Sequence, residues 1–439
     1  MLLITADDLG LHLGCYGDSI ARTPHLDQLA QEGMQFTNAY VTQASCSPSR
    51  SSIFTGLYPH QNGQIGLAHR GFTMLKGIPN LVQTLKEDGY RTGIIGKLHV
   101  QPESAFPFDY QQLKGYATRD VRQVTEKVKE FIQAGENPFF LSLNYSDPHV
   151  KFSSQIKGIP EEPFRSEQVS GFPFQLVDTE PQLERIAGYY NGVARLDAGI
   201  GMVREMLVDI GQLDNTIIIF VSDHGAPFTR GKTACYEASV QVPMMIRYPE
   251  RVANNSRSSA LVSTVDIFPT LLAMCQLENN YQTAGKSLVP LFENTTHENF
   301  RDYLFSEFNF HVGNDGFFPR RAVRDQQYKL IHNLNSEVDN HIIQVDGDSA
   351  YFYAMRPQYE GTLTRTMFER LANPPEYELY NVVDDPHEYE NLADDSAYQA
   401  VLQKLQSALY DWRKSTHDPL LYDYWWERFI FQPQSQQID

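Results

Sequence analysis

Short apolar runs alternate with amphipathic stretches along the chain up to about residue 290. Leu2–Thr5 and Thr216–Ser222 are mostly apolar and of strand length, which predicts strands buried on both faces of a sheet. Val121–Gln133 has apolar residues at helical spacing, and Glu184–Ile210 predicts a long helix. The same patterns predict further strands at Arg91–Gly96, Pro138–Asn144 and Pro243–Arg247, and further helices from Pro24 to Gly33, at Leu81–Glu87 and at Val265–Cys275.

This alternation predicts an α/β fold, with a large sheet flanked by helices on both faces. The pattern changes after about residue 320, where short strand-like runs follow one another without helical stretches between them. We therefore predict two parts, residues 1–320 and residues 321–439, the second being a smaller antiparallel sheet with one helix and an aromatic-rich tail. Its predicted elements are strands at Tyr328–Ile331, His341–Val345 and Tyr377–Tyr380 and a helix at Ala397–Trp412.

Composition and charge limit the partners that the chain can have. It carries 36 Lys and Arg against 54 Asp and Glu, a net charge of −18, so we expect it to bind neither nucleic acid nor anionic membranes. No apolar run approaches the roughly 20 residues of a membrane-spanning helix, and four scattered cysteines do not predict a disulfide scaffold. An anionic substrate would therefore need a local basic pocket in an acidic protein.

The first residues leave the cellular location open. The chain starts directly with an apolar run that ends in two acids, without the basic segment or cleavage site of a signal peptide. Either the protein acts in the cytoplasm, or a leader that would direct it to the periplasm or outside the cell precedes this sequence.

Two polar pairs follow predicted buried strands. Asp7-Asp8 end the first strand and Asp223-His224 follow the most apolar one, at the carboxyl ends where ligands gather in α/β sheets. Each pair alone is equally consistent with a solvated turn. Together, three carboxylates and an imidazole favour Ca²⁺ or Mg²⁺, and the imidazole also allows Mn²⁺ or Zn²⁺.

The segment Cys46–Arg50 is the most informative stretch of the sequence. Pro48 fits the first turn of a helix, so Cys46 would lie at a helix N-terminus, where backbone N–H groups stabilise an anion. Arg50 adds a planar cation suited to a tetrahedral oxyanion. A buried, inert cysteine is the alternative interpretation, and it is the one favoured for Cys15, Cys235 and Cys275.

Further charged residues lie just past predicted strands. Lys97 and His99 follow one strand, His149 follows another, and Lys232 lies in the loop after Asp223-His224. Singly, each is as well explained as a surface charge or a hydrogen-bonded core histidine. With Arg50, the two lysines would supply the basic pocket that the acidic chain requires.

These motifs resemble those of the type I sulfatases in the alkaline phosphatase superfamily. The resemblance rests on Cys46–Arg50 continuing to Thr55-Gly56, on the acid and base positions above, and on a C-terminal run from Glu378 to Leu392. Within the family the chain resembles the sulfamidases, or heparan N-sulfatases, and bacterial enzymes that desulfate algal polysaccharides could share the same stretches. The stretches that carry this similarity are His60–Gly63, Gly93–Lys97, His99-Val100, Phe106–Asp109, His332–Asn335 and Thr416–Pro419.

The resemblance implies an alkaline-phosphatase-like fold, with a large mixed sheet, and a hydrolase that releases sulfate from a sulfated saccharide. It implies that a formylglycine-generating or maturase enzyme oxidises Cys46 to formylglycine, whose hydrate attacks sulfur. It also implies a metal, Ca²⁺ with Mg²⁺ or Mn²⁺ as alternatives, held by Asp7, Asp8, Asp223 and His224. The residues implied to bind sulfate or transfer protons are Arg50, Lys97, His99, His149 and Lys232.

One of these positions departs from the sulfamidase pattern. Lys232 stands where sulfamidase-like sequences tend to carry Arg. The sequence therefore does not decide whether the leaving atom of the substrate is oxygen or nitrogen. Polar residues near the motifs are candidates for binding the sugar, although polar loop residues facing water would look the same. These candidates are His69, Asp147, Asn309, His311 and Arg320.

Two other functions remain open at this point. A phosphonate monoester or phosphodiester hydrolase of the same superfamily could use the same metal and basic pocket, and His224 is compatible with it. A sulfoglycan-binding protein without catalytic activity could also keep the pocket, although the complete set of motifs argues against it.

Overall fold

A computed structural model of the chain describes residues 1–293, 300–311 and 316–422; most of the aromatic-rich tail lies outside these ranges. The strands are Leu2–Asp7 (β1), Met34–Phe36 (β2), Ala39–Tyr40 (β3), Arg91–Gly96 (β4), Tyr110–Gln112 (β5), Phe139–Pro148 (β6), Ile218–Ser222 (β7), Met244–Arg247 (β8), Ser256–Ser258 (β9), Val262–Ser263 (β10), Leu304–Phe310 (β11), Phe317–Arg324 (β12), Tyr328–Asn333 (β13) and Tyr377–Asn381 (β14).

The helices follow the predicted positions closely in the first 290 residues, with ends that differ by a few residues. They are Pro24–Gln31 (α1), Cys46–Thr55 (α2), Pro59–Asn62 (α3), Leu81–Glu87 (α4), Val121–Gln133 (α5), Glu180–Asp209 (α6), Glu237–Val240 (α7), Ile267–Met274 (α8), Val289–Glu293 (α9), Ala350–Ala354 (α10), Leu363–Ala372 (α11) and Gln399–Ser415 (α12). Among the described residues, none of the helices has both the length and the apolar character needed to cross a bilayer.

The main sheet has eight strands in the order β5-β4-β6-β1-β7-β8-β2-β9, and the five strands from β5 to β7 are parallel. Strand β1 lies between β6 and β7, and its side chains alternate between two hydrophobic cores. Leu2 and Ile4 enter one core while Leu3 enters the other, which explains why this strand is apolar without alternation. The predicted mixed sheet flanked by helices is confirmed, and β1 and β7 end side by side.

The second sheet has four antiparallel strands in the order β11-β12-β13-β14. The strand predicted at His341–Val345 is wrong, and helices α10 and α11 lie between β13 and β14, where no helix was predicted. Ile342 and Val345 are buried, but by side-chain packing: the backbone N–H of Ile342 is bound by the Asn340 side chain and not by a neighbouring strand. The run His341–Val345, which was predicted as a strand, is therefore a loop in which Ile342 and Val345 are buried.

The predicted division at residue 320 falls inside β12, which pairs with β11. A boundary there would separate two hydrogen-bonded strands of one sheet. We therefore propose that the smaller part begins at Leu304, the first residue of β11.

A buried ion cluster attaches the end of α12 to the second sheet. Both oxygens of Asp418 accept hydrogen bonds from Arg321 of β12 at 2.9 Å, and Arg413 of α12 donates a third at 2.7 Å. The side chains of Arg321 and Asp418 are fully buried. Removing one partner of such a cluster leaves uncompensated charge in the protein interior.

We expect Asp418→Ala to lower the free energy of unfolding by about 3–5 kcal/mol, because two arginines would lose their buried counter-ion. Urea unfolding followed by circular dichroism measures this change. Glu369→Ala is the control, since its ion pair with Arg365 is half-exposed and such pairs contribute about 0.3–0.5 kcal/mol. Equal effects of the two substitutions would contradict the structural role of Asp418.

Candidate active site

The two polar pairs predicted at strand ends meet at one point. Asp7 and Asp8 close β1, and Asp223 and His224 follow the neighbouring parallel strand β7. The backbone N–H of Asp8 donates to Asp223 Oδ1 at 2.9 Å, and His224 Nε2 lies 3.0 Å from Asp8 Oδ1. All four side chains are buried, so three carboxylates and an imidazole share one enclosed site.

Cys46 begins helix α2 and faces this cluster. Its Sγ lies 3.4 Å from His224 Nε2. The Sγ lies within 4.8 Å of ligand atoms of Asp8 and His224, and also within 4.8 Å of ligand atoms of Asp7 and Asp223. Burial alone would raise the pKa of Cys46, but nearby cationic groups, Lys97 first among them, hold it well below its usual range. Residue 46 therefore occupies a site that favours an anion.

Arg50, one helical turn after Cys46, links the two acid pairs. Its Nε donates to Asp223 Oδ2 at 2.9 Å, and its Nη2 lies 3.3 Å from Asp7 Oδ1. Its Nη1 donates to the Asn144 side chain at 2.9 Å and to the backbone carbonyl of Lys97 at 3.0 Å. Because every one of these donors is engaged by the protein, Arg50 is placed to orient the acids.

Two lysines approach the same carboxylates from different loops. Lys97 follows β4, and its Nζ lies 2.8 Å from Asp7 Oδ1. Lys232 follows β7, and its Nζ lies 3.1 Å from both oxygens of Asp8. The side chain of Lys232 is 1% exposed and that of Lys97 is 16% exposed. The basic pocket predicted from the sequence is thus present, lined by both lysines.

The donor set of this cluster suits a divalent cation. Burial raises the pKa of Asp8 and raises that of Asp223 to about 7. Burial also acts to raise the pKa of Asp7, but Lys97 holds it well below its usual range. The cationic side chains of the site therefore do not fully balance the negative charge of Asp8 and Asp223. A hard cation bound among these oxygens would balance it.

Three histidines lie around the pocket. Burial alone would lower the pKa of His149, but Asp8, 3.7 Å away, and Asp7 raise it to about 10. His99 and His69 stack with ring centroids 5.1 Å apart and a 2.8 Å hydrogen bond between their nitrogens. Burial lowers the pKa of His99, which favours its neutral form.

The residues predicted to bind sugar divide into two groups. His69 lines the cavity beside the pocket, and His311 reaches Ser45, the residue before Cys46, with its Nδ1 3.0 Å from the hydroxyl. Burial lowers the pKa of His311 to about 3. His311 and the other three candidates do not line the cavity. The polar groups of those three bind other protein groups: Asp147 binds Arg195 and Arg119, Asn309 binds Gln43, Glu307 and Arg321, and Arg320 binds Asn333 and Thr233.

A cavity of about 400 Å³ opens beside Lys97, His99 and His149. Tyr116 lines it with a side chain that is 54% exposed, and the Tyr116 hydroxyl lies 3.4 Å from His149 Nδ1. The Arg119 guanidinium lies 4.6 Å from the centroid of the tyrosine ring. The cavity is thus large enough for a sugar ring and has an aromatic wall.

Sequence reasoning missed three residues of this site, namely Tyr116, Asn144 and Asp346. Asp346 lies 2.6 Å from Lys232 Nζ. A usable signal existed for Asp346, because it is an acid directly after an apolar run, as Asp7 and Asp223 are. Tyr116 gave no such signal, since one aromatic residue in a loop has no pattern.

Comparisons with known proteins agree with this geometry. The sulfatase family matches residues 1–277, and the C-terminal family of N-sulphoglucosamine sulphohydrolase matches residues 228–372. The chain is 32% identical to N-sulphoglucosamine sulphohydrolase of Homo sapiens, over 95% of this chain and 90% of that protein. It is 29% identical to an ulvan-active sulfatase of Formosa agariphila, over 96% of this chain and 81% of that protein.

A solved structure shares the fold. The structure of a protein in complex with its substrate D-glucosamine-2-N,6-O-disulfate superposes with a TM-score of 0.71 and 22% identity, covering 95% of this chain and 98% of the other. The family similarity predicted from the Cys46–Arg50 motif and the sulfamidase-like stretches is confirmed. The chain belongs to the sulfatase family and is a sulfatase of the kind that carries the C-terminal region of N-sulphoglucosamine sulphohydrolase.

Proposed function

We propose that this sulfatase hydrolyses a sulfate ester or sulfamate on a sulfated sugar and releases inorganic sulfate. The observation that carries the proposal is the position of Cys46, which faces three buried carboxylates and an imidazole with two lysines beside them. The names of the similar proteins support a sugar substrate, since they include N-sulphoglucosamine, ulvan and a glucosamine disulfate.

We further propose that residue 46 acts after oxidation of its thiol to formylglycine by a formylglycine-generating or maturase enzyme. The hydrated aldehyde would supply an oxygen nucleophile for sulfur, and a divalent cation, Ca²⁺ with Mg²⁺ or Mn²⁺ as alternatives, would neutralise the sulfate oxygens. Asp7, Asp8, Asp223 and His224 would hold the cation, because their ligand atoms surround residue 46.

The remaining residues of the pocket have separate tasks. Lys97 and Lys232 stabilise the negative charge on the sulfuryl oxygens, at sites from which bulk water is largely excluded. His149, which lines the cavity beside the carboxylates, donates a proton to the leaving oxygen or nitrogen. His99, whose neutral form burial favours, accepts a proton from the second hydroxyl of the hydrated residue 46. The aldehyde then re-forms as the bond between its carbon and the sulfate oxygen breaks, and inorganic sulfate is released. Arg50 holds Asp7 and Asp223 in position.

The cavity beside His149 would hold the sugar ring, with Tyr116 as its aromatic wall. We expect Tyr116→Ala to raise KM for a sulfated saccharide about 10-fold, a loss of about 1.4 kcal/mol of binding. Tyr116→Phe should keep most of the affinity, because it keeps the ring. Tyr410→Ala is the control, since this tyrosine is also 54% exposed but lies on α12. An unchanged KM for Tyr116→Ala would contradict this placement of the sugar.

A substrate panel tests the proposed function. Purified protein is assayed separately with defined heparan, carrageenan and ulvan oligosaccharides and with phosphonate monoesters and phosphodiesters as alternative substrates. Released sulfate is measured for the saccharides and released alcohol for the phosphorus compounds. The proposal predicts sulfate release from at least one saccharide at a rate well above any phosphonate hydrolysis. Preferred phosphonate turnover would instead support the phosphonate hydrolase, and binding of saccharides without turnover would support the non-catalytic protein.

A further inference from the structure

We propose that Asp346 is a positioning residue that holds the Lys232 ammonium against the sulfuryl group; this inference rests on the proposed function. Asp346 Oδ2 lies 2.6 Å from Lys232 Nζ, closer than either oxygen of Asp8. The Lys232 side chain is 1% exposed and that of Asp346 is 19% exposed. Such a pair, shielded from water, interacts more strongly than a surface ion pair.

Lysine needs an anchor of this kind. Its ammonium is a point charge on a flexible four-carbon chain, and it does not fix its own direction as the planar guanidinium of arginine does. Asp8 also contacts Lys232 Nζ, but Asp8 is shared with His224 and belongs to the proposed cation site. Asp346 lies outside the four proposed ligands, although one of its oxygens lies within 4.8 Å of ligand atoms of Asp8 and His149. It is therefore a second carboxylate that can hold Lys232.

The backbone that carries Asp346 is itself fixed in place. Asp346 has a φ of 50° and Gly347 a φ of 80°, so two successive left-handed residues turn the chain toward the pocket. The carbonyl of Asp346 accepts a 2.9 Å hydrogen bond from Arg185 of α6. Asp348 accepts hydrogen bonds of 2.7 Å from the backbone of Thr229 and from the Gln175 side chain. This turn thus connects the C-terminal part of the chain to the loop that bears Lys232.

Positioning and simple electrostatics predict opposite effects of removing the charge. A carboxylate near an anion site weakens the binding of sulfate by repulsion, so its loss alone should strengthen that binding. If Asp346 instead directs Lys232, its loss should weaken both sulfate binding and turnover. The sign of the change therefore separates the two explanations.

We expect Asp346→Asn to lower kcat on the best sulfated saccharide by about 10-fold to 100-fold, the cost of a misplaced catalytic group. Asp346→Glu should restore part of this loss, since it keeps the carboxylate. Asp339→Asn, the same change at an exposed position of the same segment, is the matched control and should leave kcat unchanged. An unchanged or higher kcat for Asp346→Asn would overturn the proposal.

A double-substitution cycle tests whether Asp346 acts through Lys232. In a Lys232→Met background, Asp346→Asn should cause no further loss of kcat, because the group that it positions is already absent. Additive losses would overturn the proposal and place Asp346 in a separate role. Circular dichroism should show that each variant is folded at the assay temperature, so that a loss of kcat is not a loss of the fold.

Binding of inorganic sulfate, measured by calorimetry, keeps this test separate from the proposed function. If the unaltered enzyme hydrolyses no saccharide in the panel, the proposed function fails. The change in sulfate affinity caused by Asp346→Asn still tests whether Asp346 positions Lys232. Weaker sulfate binding by Asp346→Asn, with the difference absent in the Lys232→Met background, would support positioning. Equal or tighter binding would overturn it.

Discussion

Cys46→Ala is expected to reduce sulfate release by about 10⁴-fold to 10⁶-fold, the size of loss found when an enzyme's nucleophile is removed. The reason is geometric: the side chain of residue 46 faces the carboxylates of Asp7, Asp8 and Asp223, and Ala offers no atom that could attack sulfur. Turnover with the best saccharide of the panel measures the effect.

The fold should survive the Cys46→Ala substitution. Cys46 is buried at the start of α2, and replacing its thiol with hydrogen removes a single heavy atom, so the melting temperature should change by only a few degrees. Cys275→Ala is the control, because this half-buried cysteine contacts Met1 and lies outside the pocket. Retained turnover in Cys46→Ala would contradict the nucleophilic role, and loss of turnover in Cys275→Ala would point to a general effect of cysteine removal.

Asp223→Asn should lower the affinity for the divalent cation by more than about 100-fold. Loss of a residue that only hydrogen-bonds to a metal ligand lowers metal affinity by about 10-fold to 100-fold, and Asp223 is proposed as a ligand itself. The carboxylate of Asp223 accepts from the backbone of Asp8 and from Arg50, so the amide can keep one of these bonds while losing the negative charge. Elemental analysis after extensive dialysis measures bound Ca²⁺, Mg²⁺ and Mn²⁺.

Asp266→Asn is the control for cation retention. Asp266 is also a buried carboxylate paired with an arginine, Arg301, but it belongs to a different region of the fold. Its substitution should leave the metal content per folded molecule unchanged. If Asp223→Asn retained as much metal as the unaltered protein, Asp223 would not be a ligand.

The large sheet was predictable because its central strands are buried on both faces, so that Leu2–Ile4 and Ile217–Val221 are unbroken apolar runs in the sequence. The residues of the site that follow those strands were predictable for the same reason, since parallel strands bring their carboxyl ends together. The smaller part was less predictable. Ile342 and Val345 look like a strand in the sequence, but they are buried by packing in a loop.

Side chains contributed from distant segments are the part of the site that local patterns do not predict. Asp346 reaches Lys232 across 114 positions of the chain, and only the folded structure brings the two together. Asp147 shows the opposite case: it lies next to the motif residue His149, but its carboxylate binds Arg195 at 2.7 Å. Although Asp147 is close to His149 in the sequence, it does not line the cavity that His149 lines.

The most direct measurement is a crystal structure of protein in which Cys46 has been oxidised to formylglycine. The crystals are grown with Mn²⁺, and anomalous scattering locates the metal. We predict one strong peak within bonding distance of Asp7, Asp8, Asp223 and His224, with an oxygen-bearing side chain at residue 46 directed toward it. A metal bound elsewhere, or an unmodified thiol at residue 46 in protein that actively releases sulfate, would contradict the proposed mechanism.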